Sequence, residues 1–435
     1  MNNKQKTKNV WVVAGLAAVL LCSGPAFANE PLKKRLDDVT KLFADKPAGF
    51  EAIFSPGFLK AVPPDKLAPV LVEYFKKGGK VLRTLRVNKH GDHAAEYRVF
   101  AEKTTFPMKL GVEPEPPHKV NMFWMGVPAP RFSSLPAAIK ALKKLPGTVS
   151  FSAWLLGGDK GHKVLATLNG KKPLAIGSSF KLYILGALLD DIASGKRTWD
   201  EVARLSEEHR SWPSGVLHKW PADSPVTVHT LASQMISISD NTATDTLLFY
   251  LGRQRVEAML KLMGNRHAAR NKPFLSTREM FRIKENGKGR LRPYLKAKGV
   301  GGKRKYLDQV LAKEPYTKSI DFGTAAPTAV DKVEWFASAD DLCRTMQWLR
   351  DVTAKDKTAR GVLGINRGLQ WPDDKWAYVG YKGGSEPGVL NLTWLAQRKD
   401  GVWYALSAGW NNPAATLDED RFVELVQGII LLLEK

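Results

Sequence analysis

Ser178-Ser179-Phe180-Lys181 is the stretch on which the reading of this 435-residue chain turns. A spacing of three brings residues 178 and 181 to one side of a helical turn, so a hydroxyl and an amine become neighbours. A serine hydroxyl is a weak nucleophile until a base stands beside it. A lysine can be that base when burial or a second cation lowers its pKa enough to populate the neutral amine. The four residues open a helix expected over 179–194 and closed by Gly195, and free amides at such a start favour developing negative charge. Taken alone, the tetrapeptide reads more readily as a helix cap followed by a surface lysine.

Two later segments change that reading. Thr227 caps a helical pattern whose apolar stripe, Leu231, Met235 and Ile238, leads into Ser239-Asp240-Asn241. Ser239 is placed to relay a proton to a leaving group, and Asn241 to hold Lys181 or a substrate carbonyl. Asp240 is expected to brace the loop by accepting backbone hydrogen bonds. Lys382-Gly383-Gly384-Ser385 then follows a strand expected over 377–382, and its glycines let a ligand come close to a sheet edge. Lys382 would attract a substrate carboxylate and hold down the pKa of Lys181. The amides of Ser385 and Ser178 are the expected oxyanion hole. The candidate catalytic residues are therefore Ser178, Lys181 and Ser239, and the candidate substrate-binding residues are Asn241, Lys382, Gly383, Gly384 and Ser385.

The order S-x-x-K, S-D-N, K-x-G is the signature set of penicillin-recognising serine enzymes. The chain from about Thr148 to Lys435 resembles class A beta-lactamases and penicillin-binding serine hydrolases. Ile238-Ser239-Asp240-Asn241-Thr242-Ala243-Thr244-Asp245 resembles the central-helix segment of that group, and Ser276-Thr277-Arg278-Glu279-Met280 its threonine-rich helix start. The separation of 61 positions from Ser178 to Ser239 agrees with a class A arrangement. The resemblance implies an acyl-enzyme on Ser178, proton handling by Lys181 and Ser239, and a carboxylate anchor in Lys382. Two departures stand out. Gly383 occupies a place where the family usually has threonine or serine, and Ser385 is the candidate replacement. The family's deacylating glutamate lies in an omega loop before the threonine-rich start, yet here residues 264–275 contain neither glutamate nor aspartate. Efficient lactam turnover is therefore not expected, while hydrolysis of an ester or thioester, with Lys181 acting in both steps, is. Glu386 is a candidate deacylation aid, with a solvent-facing carboxylate as the alternative.

Organisation along the chain supports two folded units in an α+β class. Lys4, Lys6 and Lys8, the apolar run 11–21 and Ala26-Phe27-Ala28 read as a signal peptide over 1–28, implying a periplasmic or secreted protein. Eleven apolar residues are too few for a stable membrane span. Residues 31–129 place helices first and strand-like pieces at 81–87, 94–101, 104–110 and 119–124 afterwards, a small α+β unit. A linker is expected over 130–147. Residues 148–435 then begin and end with antiparallel strands around a helical middle, as one sheet with a helical lobe closing a cleft. Phe54-Ser55-Pro56-Gly57-Phe58-Leu59-Lys60-Ala61-Val62-Pro63 and Val333-Glu334-Trp335-Phe336-Ala337-Ser338 resemble a smaller beta-lactamase-related group. Its members carry an N-terminal domain similar to that of the clavulanate-cluster protein with a steroid-isomerase-like front end. The likeness implies a cone-like first domain with a structural role or a part in shaping the cleft.

Composition narrows the partners. The net charge of +23 falls to +20 once the leader and its three lysines are removed, which favours anionic partners such as phospholipids, cell-wall polymers or acidic substrates. Zinc-finger cysteines, a helix-turn-helix pattern and an aromatic-basic stripe are all missing, so nucleic acid is not an expected partner. The eight histidines are scattered without a metal-binding spacing, and neither a metal nor another cofactor is expected. Cys343 is the only cysteine beyond the leader and belongs to an amphipathic helical stretch, where it is expected to be buried. The resulting expectation is an exported serine hydrolase acting on a small-molecule or cell-wall-derived acyl substrate, with weak lactamase turnover. A binding protein that keeps the cleft without turnover, and a peptidoglycan peptidase, are the alternatives.

Overall fold

The computed structural model describes residues 30–158, 161–285, 289–313 and 326–434; the leader and its cleavage site lie outside the described residues. The chain divides into two units, one formed by the chain up to Ser133 together with Val423–Leu433, the other by Ser134–Phe422.

Up to Ser133 the described residues form the helices α1 (Glu30–Lys41), α2 (Phe50–Ile53), α3 (Pro56–Ala61) and α4 (Pro64–Gly78), followed by five strands. The strands are β1 (Val81–His90), β2 (Ala94–Ala101), β3 (Thr104–Val112), β4 (Val120–Met125) and β5 (Ala129–Pro130). They form an antiparallel sheet in the order β1-β2-β3-β4, with β5 added to β3. Local chemistry sets the boundaries. Ser55 caps α3 by accepting from Phe58 N, and Gly79, at φ 76°, ends α4 in a conformation that disfavours a side chain. On β2, Ala95, Tyr97, Val99 and Ala101 alternate inward, as period two requires. The core closes around aromatic rings, with Phe54 stacked on Phe58 at 4.8 Å and edge-on to Phe123 at 5.7 Å.

The second unit starts with α5 (Leu135–Leu142), β6 (Thr148–Leu156), β7 (His162–Leu168) and β8 (Leu174–Ala175). A 3₁₀ turn over Gly177–Phe180 leads directly into α6 (Lys181–Ala193). Next come β9 (Val202–Arg204), β10 (Pro225–Thr227), α7 (Val228–Ser237), α8 (Asn241–Leu251), α9 (Arg253–Leu262) and α10 (Thr277–Lys284). Short helices α11 (Leu291–Lys296) and α12 (Gly299–Tyr306) precede β11 (Phe336–Ala337), α13 (Ala339–Val352) and α14 (Lys357–Gly364). The chain closes with β12 (Trp376–Glu386), β13 (Val389–Arg398), β14 (Trp403–Asn411) and α15 (Glu419–Leu432). The main sheet has the antiparallel order β12-β13-β14-β6-β7, so strands from the opening and the end of the unit share one sheet, as their positions predict. Helix α6 is buried on nearly all sides, which explains why its sequence lacks a polar face. Helix α13 packs on β6 and β14 with Cys343 fully buried against them.

Three expectations are corrected. Ser178 lies in a 3₁₀ turn rather than in the α-helix, but residues three apart eclipse in a 3₁₀ turn, so Ser178 and Lys181 still share a side. Strand β12 runs on to Glu386, putting Gly383 and Gly384 inside the strand and paired with Leu392 and Asn391 of β13. Ile238 leaves the stripe of α7 because the helix stops at Ser237; it is 45% exposed, and Ile236 is buried in its place. The stretch 282–331 also contributes to the core through Tyr294, Leu307 and Leu311; its residues 286–288 and 314–325 lie outside the described residues. Among the described residues no helix is long and apolar enough to cross a membrane.

Candidate active site

The 3₁₀ turn and β12 meet backbone to backbone. A Cβ on Gly384 would stand 2.2 Å from Ser178 N and 2.3 Å from Ile176 O, and one on Gly177 (φ 47°) would stand 3.0 Å from Ser385 N. Only glycine permits this approach at residue 384. Ser179 Oγ donates to Lys382 O at 3.2 Å, and Ile176 N donates to Trp335 O at 3.0 Å, tying the turn to β12 on one side and to the segment before β11 on the other. The Phe180 ring stacks on Trp335 at 3.7 Å. Ser179, Phe180 and Lys181 are buried in consequence, while Ser178 keeps partial exposure.

Lys181 is wholly enclosed, and three oxygens receive its amine. Its Nζ donates to Ser239 O at 2.6 Å, Ser239 Oγ at 2.9 Å and Asn241 Oδ1 at 2.7 Å. Burial, and after it the charge of Lys382, hold this amine well below its ordinary 10.5, with Asp245 and Asp240 opposing less strongly. Lys382 Nζ donates to Ser239 Oγ at 3.0 Å and to Gly383 O at 2.7 Å, and burial lowers its pKa to about 7. Ser239 Oγ thus lies between two amines. Because it accepts from both, its own proton remains available to a third group.

The S-D-N segment is held open for this purpose by its neighbours. Ser239 sits at φ 59°, a left-handed conformation rare outside glycine and characteristic of strained functional positions. Asp240 caps α8 through Ala243 N at 2.8 Å and also accepts from Val216 N at 2.6 Å and Leu217 N at 2.8 Å, a bracing role rather than that of a base. Asn241 Nδ2 donates to Trp212 O at 3.0 Å, which orients its carbonyl oxygen toward Lys181. One turn on, Asp245 accepts from Thr277 N, Thr277 Oγ1 and Arg278 N at 2.7, 2.8 and 2.9 Å; burial raises its carboxyl to about 6. A capping box between Ser276 and Glu279 starts α10 at that point. Helix α8, which starts at Asn241, and α10, which follows residues 264–275, are therefore locked to each other.

Glu386 does not face solvent. Its side chain is 6% exposed and accepts a hydrogen bond from Lys284 of α10, whose Nζ is also 3.5 Å from Glu334 Oε1. Burial first, and then the charge of Glu334, push the Glu386 carboxyl up to about 8 against the pull of Lys284. The solvent-facing alternative is overruled because alternation along β12 sends residue 386 inward. Ser385, on the opposite face, is exposed. Sequence reasoning missed Lys284 and Glu334 because no spacing connects residues 284, 334 and 386. The residues 264–275 are pinned through amides instead of carboxylates: Asn265 Nδ2 donates to Tyr183 OH and Phe336 O, and Asn271 bonds both the N and the O of Phe336. Among the described residues no group of three or more histidine, cysteine, aspartate or glutamate side chains could hold a metal ion.

With this geometry in view, residues 134–314 match a sequence model described as the Beta-lactamase enzyme family. Solved structures that are similar to this chain include a beta-lactamase from Sphaerobacter thermophilus, 18% identical over 69% of this chain and 97% of that one, with a TM-score of 0.48. A beta-lactamase from Francisella tularensis is 15% identical over 68% and 97%, with a TM-score of 0.47. PBP-A is 16% identical over 70% and 99%, with a TM-score of 0.46. No match to the chain is found among curated proteins.

Proposed function

We propose that this chain is an exported serine hydrolase that forms an acyl-enzyme on Ser178 from an ester, thioester or beta-lactam carbonyl. The observation that carries the reading is the enclosed Lys181 amine, held among neutral oxygens beside a second cation and one turn from a partly exposed serine. In its neutral form the amine takes the Ser178 proton as Oγ attacks the carbonyl carbon. The amides of Ser178 and Ser385, brought side by side by Gly177 and Gly384, receive the oxyanion. As the bond to the leaving group breaks, Ser239 gives that group its hydroxyl proton and regains one from Lys181. Lys382, with Asn241, Gly383 and Ser385 along the cleft, anchors a carboxylate or other anionic group on the substrate. Water then completes hydrolysis.

A second reading is a ligand- or cell-wall-binding protein that keeps the cleft without turnover, or a peptidoglycan peptidase. The observation that favours slow turnover is the 264–275 segment, which is held by Asn265 and Asn271 and contains no carboxylate to activate water. Weak lactamase activity is expected on the same ground. The first unit resembles in this reading the isomerase-like front end of the clavulanate-cluster group and has a structural role, and the basic leader directs the protein to the periplasm or out of the cell.

The test is incubation of the mature protein with a fluorescent penicillin and, separately, with a fluorophosphonate, followed by intact-mass and peptide mapping. An adduct on Ser178 that disappears in Ser178→Ala supports the nucleophile. Its lifetime separates turnover from trapping. No adduct with either reagent would contradict the acyl-serine reading and favour simple binding.

A further inference from the structure

The cluster of Glu386, Glu334 and Lys284 is not used in the acylation chemistry, yet it is built beside it. Strand β12 keeps an unbroken register from Lys382, opposite Thr393, to Glu386, opposite Val389. Period-two alternation therefore puts Lys382, Gly384 and Glu386 on one face. Lys382 reaches Ser239 from that face, and Gly384 is the position whose missing Cβ makes room for Ser178 N. Glu386 is the next side chain along the same face. Its partners come from elements that also border the nucleophile: α10 carries Lys284, and Glu334 immediately precedes Trp335, whose carbonyl accepts from Ile176 N.

The charges in this cluster do not balance. Two carboxylates with almost no exposure face one ammonium, and they are the charged groups set against Glu386 among the described residues. Glu334 Oε2 accepts from Trp335 N at 2.9 Å, while Glu334 Oε1 is buried with no donor in hydrogen-bond geometry. A buried acceptor left in this state is costly, and the Lys284 ammonium at 3.5 Å offsets part of that cost. Burial and the facing Glu334 charge favour the protonated Glu386 carboxyl, which can give up its proton and take it back.

We propose that Glu386 is the general base of deacylation, supplying from β12 the carboxylate that the 264–275 segment lacks. This inference rests on the acyl-serine reading above. A water molecule adds to the acyl carbonyl carbon as its proton passes to the Glu386 carboxylate. The resulting tetrahedral adduct collapses with cleavage of the carbon–Oγ bond as the proton held by Glu386 passes to Ser178 Oγ. Glu386 is left ionised and Ser178 free, so the sum is plain hydrolysis. Lys284 and Glu334 are positioning residues: the first steers the carboxylate, and the second sets how readily it holds the proton. The carboxyl at about 8 must be ionised to act, so deacylation rises with pH through that region.

Acylation and deacylation are measured separately, by stopped-flow capture of a fluorescent penicillin and by decay of the isolated adduct. The expected result for Glu386→Gln is acylation within about threefold of the parent and an adduct that decays about 10²-fold more slowly, the usual loss for a general base. Glu334→Gln removes a neighbouring negative charge, so the deacylation inflection moves to lower pH; a purely structural salt bridge would leave the profile in place. If Glu386→Gln does not fold, as judged by circular dichroism, the Glu334→Gln profile decides. Normal acylation with parental deacylation in Glu386→Gln, or an unmoved inflection in Glu334→Gln, overturns the assignment to Glu386 and leaves the acyl-serine reading standing. An unlabelled parent protein overturns both.

Discussion

Two buried lysines, Lys181 and Lys284, are set in opposite surroundings within the second unit. Lys181 meets a carbonyl, a hydroxyl and an amide oxygen, none of them charged, with the Lys382 ammonium across Ser239. Lys284 meets two carboxylates. The first arrangement offers hydrogen bonds without a compensating charge, so the neutral amine is favoured and a base results. In the second the ammonium is matched, and the proton to be exchanged sits on the carboxyls instead. Residue type alone therefore does not say what a buried lysine does; the charge of its neighbours decides.

Substituting each lysine by an apolar residue of similar length separates the two cases. Lys181→Met should cost acylation about 10³-fold or more, within the range for loss of a general base acting on a nucleophile. The fold should persist, because a desolvated amine is replaced by a side chain that prefers the interior. Stopped-flow capture and a thermal melt on the same sample check both statements. Lys284→Met should do the reverse, leaving two carboxylates without their cation and destabilising the protein by about 3 kcal/mol, with acylation changed less than about tenfold. Comparable acylation losses in the two variants would break the comparison. A smaller effect marks the scaffold: Thr227→Ala removes the side-chain acceptor for Thr230 N at the start of α7 and should cost about 1 kcal/mol in urea unfolding, with acylation unchanged.

What could be read from the sequence follows the same division. Ser178, Lys181, Ser239, Asn241 and Lys382 sit in three contiguous motifs, each short enough for local geometry to fix its partners, and the structure brings Lys181, Ser239, Asn241 and Lys382 within hydrogen-bond distance. The capping by Thr227 and the bracing by Asp240 were legible because they act within a few residues. Strand β12 extends beyond its expected end at Lys382, although glycines usually weaken strands. Here they continue the ladder on an edge covered by the 3₁₀ turn, a tertiary fact. The burial of Glu386 and its union with Lys284 and Glu334 join three points 102 residues apart at their widest, and no local pattern encodes that.

The claim on which the proposed chemistry depends is that Lys181 is a neutral base because it is buried beside a second cation. Acylation of Ser178 by an uncharged p-nitrophenyl ester, followed by stopped flow across pH in the parent and in Lys382→Met, addresses it directly. An uncharged ester leaves the carboxylate-anchoring role of Lys382 out of the readout. In the parent the rate should rise with pH through an inflection well below 10.5, as the Lys181 ammonium loses its proton. In Lys382→Met that inflection should move up, because the cation that disfavoured the ammonium is gone. An inflection near 10 in the parent, or the same position in both proteins, would contradict the assignment of Lys181 as the base.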